Sequence, residues 1–135
     1  MERTLAIIKP DAVKAKVVGK IIDRIEQEGF DLVGMKKLHL TKAQAEQFYA
    51  VHKGKGFFEE LVTFMSSGPI VALALQKEGA IKAWRDLMGS TNAANAAPNT
   101  LRKLYATSIT CNATHGSDAP ETAAQEIKFF FPELG

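Results

Sequence analysis

The chain has 135 residues, 46% of them hydrophobic, enough for one domain over residues 1–135 with its own core and too few for two. Its 17 basic and 15 acidic residues are interspersed and leave a net charge of +2, which argues against a protein holding nucleic acid through one long basic tract. A single Cys111 excludes an intramolecular disulfide; the absence of a bilayer-length apolar run or a secretory leader pattern makes a cytoplasmic protein the expectation.

Leu5-Ala6-Ile7-Ile8 is a short apolar run that stops at Lys9-Pro10-Asp11, where proline removes a backbone donor. It predicts a buried first strand. Between Gly19 and Gly29, apolar Ile21, Ile22 and Ile25 recur at helical spacing among charged neighbours, and Gly29 suits a C-terminal cap. Leu32 to Leu40 alternates imperfectly, with Gly34 allowing a bulge. Thr41 and Gln44 then offer a capping box for a second helix, which carries Ala45, Phe48 and Tyr49 on one side. Phe57 to Met65 fits a further helical stretch, ended by Gly68-Pro69. The apolar run Ile70 to Leu75 predicts another buried strand, and Ile81, Trp84, Leu87 and Met88 after it are helix-spaced with Gly89 behind. Ser90 to Thr100 is polar and weakly patterned, and predicts a long loop. Thr110 to Thr114 is a strand candidate, and Asp118 with Glu121 fits a capping box opening a last helix through Gln125. The order implies an α/β (α+β) fold of ferredoxin-like, split βαβ type: a four-stranded antiparallel sheet with helices packed on one face.

His115 lies within Asn112-Ala113-Thr114-His115-Gly116-Ser117-Asp118, between a strand end and a helix start. α/β proteins expose side chains to ligands at such places. A neutral imidazole is a good nucleophile near pH 7, and a helix N-terminus favours phosphate, so the setting suggests phosphoryl transfer through histidine. A Ser/His/Asp hydrolase is the tempting rival, but His115, Ser117 and Asp118 crowd too closely for a triad and no Gly-x-Ser-x-Gly elbow is present. Metal ligation fails on spacing, since Cys111 and His115 lack paired partners. His39 and His52 take the structural or solvated reading. No glycine-rich phosphate loop occurs, so side chains must hold any phosphate. Lys9, Arg85, Thr91 and Arg102 are the candidates, with arginine able to bind bidentately. Phe57 or Phe58 could stack on a base at a cleft edge, although core packing is the simpler fate of both.

Together these segments resemble the nucleoside diphosphate kinase family along essentially the whole chain. The resemblance is carried by the N-x-x-H-G-S-D signature at Asn112 to Asp118, with Ile8-Lys9-Pro10-Asp11, Phe48-Tyr49, Phe57-Phe58, Arg85 to Gly89 and Thr91-Asn92 in order. It implies γ-phosphate transfer from a nucleoside triphosphate to a nucleoside diphosphate by ping-pong chemistry, with His115 as the phosphorylated intermediate. It also implies Lys9, Tyr49, Arg85, Thr91 and Arg102 around the phosphates, and Asn112 with Lys9 at the sugar. Phe57 then stacks on the base, with Leu61 and Ile109 nearby, while Ser117 and Glu126 position the imidazole. Glu126 follows Glu121 at a spacing that points the two carboxylates in different directions, so only one can face His115. Mg²⁺ arrives on the nucleotide phosphates and needs no dedicated protein ligands, and the expected assembly is a homo-oligomer, tetramer or hexamer. Against the family pattern, Gly56 stands for a usual Pro, Ala93 for a frequent Pro, Asn99 for a frequent Gly and Leu104 for a usual Asp. The remaining rivals are a nucleotide- or nucleic-acid-binding module without catalysis and a histidine phosphocarrier serving a protein partner; neither requires all of these side chains.

Overall fold

The computed structural model describes residues 1–90, 92–106 and 111–134. The first apolar run becomes β1 (Glu2–Ile8), and β3 (Ile70–Lys77) lies antiparallel beside it with Leu5 opposite Ala74 and Ile7 opposite Ala72. β2 (Asp31–Leu38) pairs with the far side of β3, and β4 (Thr114–Gly116) with the far side of β1, both antiparallel. The sheet order is β2-β3-β1-β4, the ferredoxin-like arrangement expected. A register irregularity falls between Leu32 and Gly34, where the bulge was expected. Gly34 matters there because a Cβ would sit 3.0 Å from the Phe131 ring.

Helices cover both faces of the sheet, not one as the sequence led us to expect. Ala6, Ile8, Leu73 and Leu75 face α2 (Val18–Gln27) and α5 (Ala80–Met88) through Ile21, Ile25 and Trp84. Leu5, Ile7, Ala72 and Ala74 face α3 (Lys42–Phe48), α4 (Phe58–Met65) and α7 (Pro120–Phe130) through Ala45, Val62, Ile127 and Phe130. The cause lies in the central strands: their apolar runs are unbroken because both sides of each strand are buried.

Two short helices add to the expected set. α1 (Pro10–Lys14) starts at the proline that ends β1, whose fixed φ and missing N–H suit a first helical position. α6 (Leu101–Tyr105) follows the loop, and the Thr100 hydroxyl accepts from Lys103 N at its start. Within the loop, Ala93–Asn95 forms a 3-10 turn, and Asn99 takes a left-handed φ of 69° that asparagine tolerates in place of glycine. The capping box at Thr41 forms, with Thr41 Oγ1 accepting from Gln44 N at 3.1 Å and Gln44 Oε1 from Thr41 N at 2.9 Å. The one at Asp118 does not. The chain arrives extended at Ala119, which is the N-cap without a side-chain bond, and Pro120 opens α7, which runs past Gln125 to Phe130. The strand expected over Thr110 to Thr114 is a correction: residues 111–113 are not strand, Ala113 taking a left-handed φ of 72°, and β4 runs from Thr114 to Gly116, while Thr110 lies outside the described set. Among the described residues no helix is long and apolar enough to cross a membrane.

Candidate active site

β4 sets the position of His115 by pairing it with Ile7 of β1. From the opposite side α7 brings Glu126, whose Oε1 lies 3.2 Å from His115 Nε2. Ser117 Oγ donates to the same Oε1 at 2.7 Å and accepts from Leu5 N at 3.2 Å, so the hydroxyl ties the carboxylate to the sheet. An ionised carboxylate only accepts hydrogen bonds, so in the neutral imidazole this contact calls for the tautomer with its proton on Nε2, which leaves the lone pair on Nδ1. Glu121 is exposed, and the expectation that only one of the two glutamates reaches the histidine holds. Phe48 and Tyr49 pack edge-on against the imidazole, with ring centroids 5.5 and 6.1 Å away.

His115 opens onto a cavity of about 660 Å³. Lys9, at the end of β1, is 6% exposed and donates from Nζ to Asn112 Oδ1 at 2.8 Å. Burial, and then the nearby Arg102 charge, push its pKa down to about 8, against opposing pulls from Asp11 and Cys111. Arg102 on α6 is 9% exposed and braces the site, its two terminal nitrogens each 3.0 Å from a backbone carbonyl, Gly89 on one side and Thr114 on the other. Burial and then Arg85 lower its pKa to about 10. The Tyr49 hydroxyl is buried with no hydrogen-bond partner among the described residues, and burial followed by the Glu126 charge pushes its pKa up. A buried orphan hydroxyl carries a desolvation cost that an incoming acceptor can remove.

The structure therefore gathers Lys9, Tyr49, Arg85, Arg102, His115 and Glu126 on one wall system, with Phe57 and Leu61 also lining it. Phe57 is 46% exposed at the rim, whereas Phe58 is 6% exposed in the core, which separates the two rings left open by the sequence. Asn112 and Ser117 are buried and bonded to Lys9 and Glu126 respectively. Thr91 and Ile109 lie outside the described residues. His52 is a correction: it is neither core nor simply solvated but lines the cavity, 5.2 Å from the Phe57 ring and stacked 6.3 Å from Tyr49. Partial burial, and then Lys55 and His115, lower its pKa, with Asp118 and Glu126 pulling the other way. Its place three residues after Tyr49 was the signal, since that spacing shares a helical side. His39 keeps its structural reading, with Nε2 2.7 Å from the Ser66 carbonyl oxygen. The arrangement can hold a polyanion against a histidine whose lone pair is fixed at one nitrogen.

The family model described as nucleoside diphosphate kinase matches residues 2–134. The chain belongs to the nucleoside diphosphate kinase family. It is thus an enzyme, a transferase. The nucleoside diphosphate kinase of Geotalea uraniireducens is 60% identical over 134 residues, 99% of this chain and 98% of that one. Among solved structures, the Aquifex aeolicus nucleoside diphosphate kinase superposes with a TM-score of 0.97 at 48% identity, covering 98% of this chain and 96% of its own. A halophilic nucleoside diphosphate kinase from Halobacterium salinarum, solved in complex with CDP, gives a TM-score of 0.92 at 39% identity, over 96% and 87% of the two chains.

Proposed function

We propose that the protein acts as a single domain over residues 1–135 and transfers the γ-phosphate of a nucleoside triphosphate, typically ATP, to a nucleoside diphosphate by a ping-pong mechanism through a phosphohistidine on His115. The observation that carries this reading is the fixed imidazole: Glu126 engages Nε2 at 3.2 Å, so the lone pair of Nδ1 is available beside a cavity walled by cations. In the first half-reaction Nδ1 attacks the γ-phosphorus, an N–P bond forms, and the bridging P–O bond breaks with its electron pair leaving on the diphosphate. In the second, the terminal oxygen of another nucleoside diphosphate attacks that phosphorus in line and the electron pair returns to Nδ1. Glu126 holds the Nε2 proton throughout and stabilises the positive charge that the ring acquires as it is phosphorylated.

Lys9, Arg85 and Arg102 spread the charge of the phosphoryl group in flight, work that dominates catalysis of a loose phosphoryl transition state. The buried Tyr49 hydroxyl donates to a phosphate oxygen, with Thr91 a further phosphate contact. Lys9 and Asn112, joined at 2.8 Å, offer a donor set to the sugar hydroxyls. Phe57 at the rim, with Leu61 and Ile109, takes the base by stacking, which tolerates any base because every base has a π-face. Mg²⁺ would arrive on the nucleotide phosphates, which face the Lys9, Arg85 and Arg102 wall of the cavity. When bound, the ion neutralises phosphate charge. We further infer a cytoplasmic homo-oligomer, tetramer or hexamer, with nucleotides and not nucleic acid as its main ligands.

The test is incubation with ATP radiolabelled at the γ-phosphate. Wild type should acquire an acid-labile, base-stable label and pass it to GDP without a partner protein, and His115→Ala should acquire none. Equal labelling of both would refute the mechanism.

A further inference from the structure

Trp84 is the only tryptophan of the chain, and its side chain on α5 is fully buried. One edge of the indole meets Phe30 in a T-shaped contact at 6.2 Å, the work of an ordinary core residue. A leucine or phenylalanine could do that work without bringing a polar atom into the interior. Trp84 instead directs Nε1 at the backbone of the proposed nucleophile and donates to the His115 carbonyl oxygen at 3.0 Å. The approach is close: a Cβ on Gly116 would fall 2.4 Å from Trp84 Cδ1 and 2.7 Å from Nε1, so the residue after the histidine must lack a side chain for the indole to reach.

β4 is three residues long and, among the described residues, lies at the edge of the sheet, paired with β1. So short an edge strand has few ladder bonds to resist twisting. The His115 side chain is consequently gripped at its ring by Glu126, while its backbone needs a second anchor to fix where the ring swings from. We propose that Trp84 is a positioning residue for His115: by holding the His115 carbonyl and packing against Gly116, it fixes the Cα–Cβ direction along which Nδ1 meets the γ-phosphorus. The inference rests on the reading of His115 as phosphoryl acceptor. It adds a group that touches neither nucleotide nor phosphate and acts only through the histidine.

Two replacements separate positioning from core filling. Trp84→Phe keeps an aromatic ring and loses the donor; benzothienylalanine at position 84, a sulfur isostere of tryptophan, keeps the shape and loses only the N–H. Wild type is first shown to label on His115 from ATP; a failure there would remove the histidine reading and this proposal with it, whereas labelled wild type confines the outcome of the replacements to the role of Trp84. The expected result for both replacements is a single-turnover rate of His115 phosphorylation about tenfold below wild type, as a small misplacement of a reacting atom produces. Nucleotide KM should stay within roughly twofold, the pattern of a loss confined to the transition state. A merely structural role lowers the urea midpoint and leaves the rate per folded molecule unchanged. An unchanged phosphorylation rate in the benzothienylalanine protein, or a fall matched by a rise in KM, would overturn the proposal.

Discussion

In the proposed mechanism Glu126 sets which nitrogen of His115 reacts, because a carboxylate offers no proton of its own. Replacing it by glutamine lets the amide donate to Nε2, which then keeps the lone pair and turns the wrong tautomer to the substrate. We expect Glu126→Gln to lower kcat on the order of a hundredfold with a smaller change in KM, measured by steady-state turnover of ATP and GDP. Lys9 shows the second way environment sets function. Its pKa is lowered from 10.5 to about 8 in the folded protein, burial being the larger cause, so folding disfavours its charge. That costs stability below about pH 8, and the cost is relieved as pH rises towards the unfolded value. Anion binding runs in the opposite direction, since a phosphate needs the charged form. Nucleotide affinity measured by calorimetry should therefore weaken as pH rises through about 8, the folded-state value for Lys9, and Lys9→Gln should lose that inflection.

Single residues of this kind were legible in the sequence where the chemistry needs a particular type at a particular place. His115, Lys9 and Arg102 could be named because imidazole, amine and guanidinium have few rivals for their roles. His52 reads as solvated beside Lys53 and Lys55; the turn Ala50–His52 beyond α3 brings its ring beside Phe57 and Tyr49.

At the scale of elements, the two capping boxes read alike in sequence and differ in the fold. Thr41-x-x-Gln44 has both reciprocal bonds, whereas Asp118-x-x-Glu121 is pre-empted by Pro120, which seats itself in the first helical turn and moves the cap to Ala119. Thr41→Ala should therefore cost about 1 kcal/mol in urea unfolding. Asp118→Ala should stay within roughly 0.5 kcal/mol, the range of ordinary surface changes. Equal losses at the two positions would show that the difference between the caps carries no energy. α1 and α6 were not foreseen because each has only five residues, too few for apolar periodicity to show.

For the molecule as a whole, a four-stranded antiparallel sheet of ferredoxin-like type is legible in the succession of elements, while the strand order, which spacing alone does not fix, and the second helical layer are not. An alternating strand announces one wet face and an unbroken apolar strand announces none; β1 and β3 are of the second kind and sit at the middle of the sheet. With both faces closed, the sheet offers ligands an end, and there the C-terminus of β1, the middle of α7 and the short β4 meet around His115. The account depends on which nitrogen of that ring is left to react. ³¹P and ¹⁵N NMR of the phosphoenzyme, prepared from ¹⁵N-histidine-labelled protein and ATP, measures it directly. Phosphorus bonded to Nδ1 of His115 is the predicted result; a bond to Nε2, or phosphate on any other residue, would contradict it.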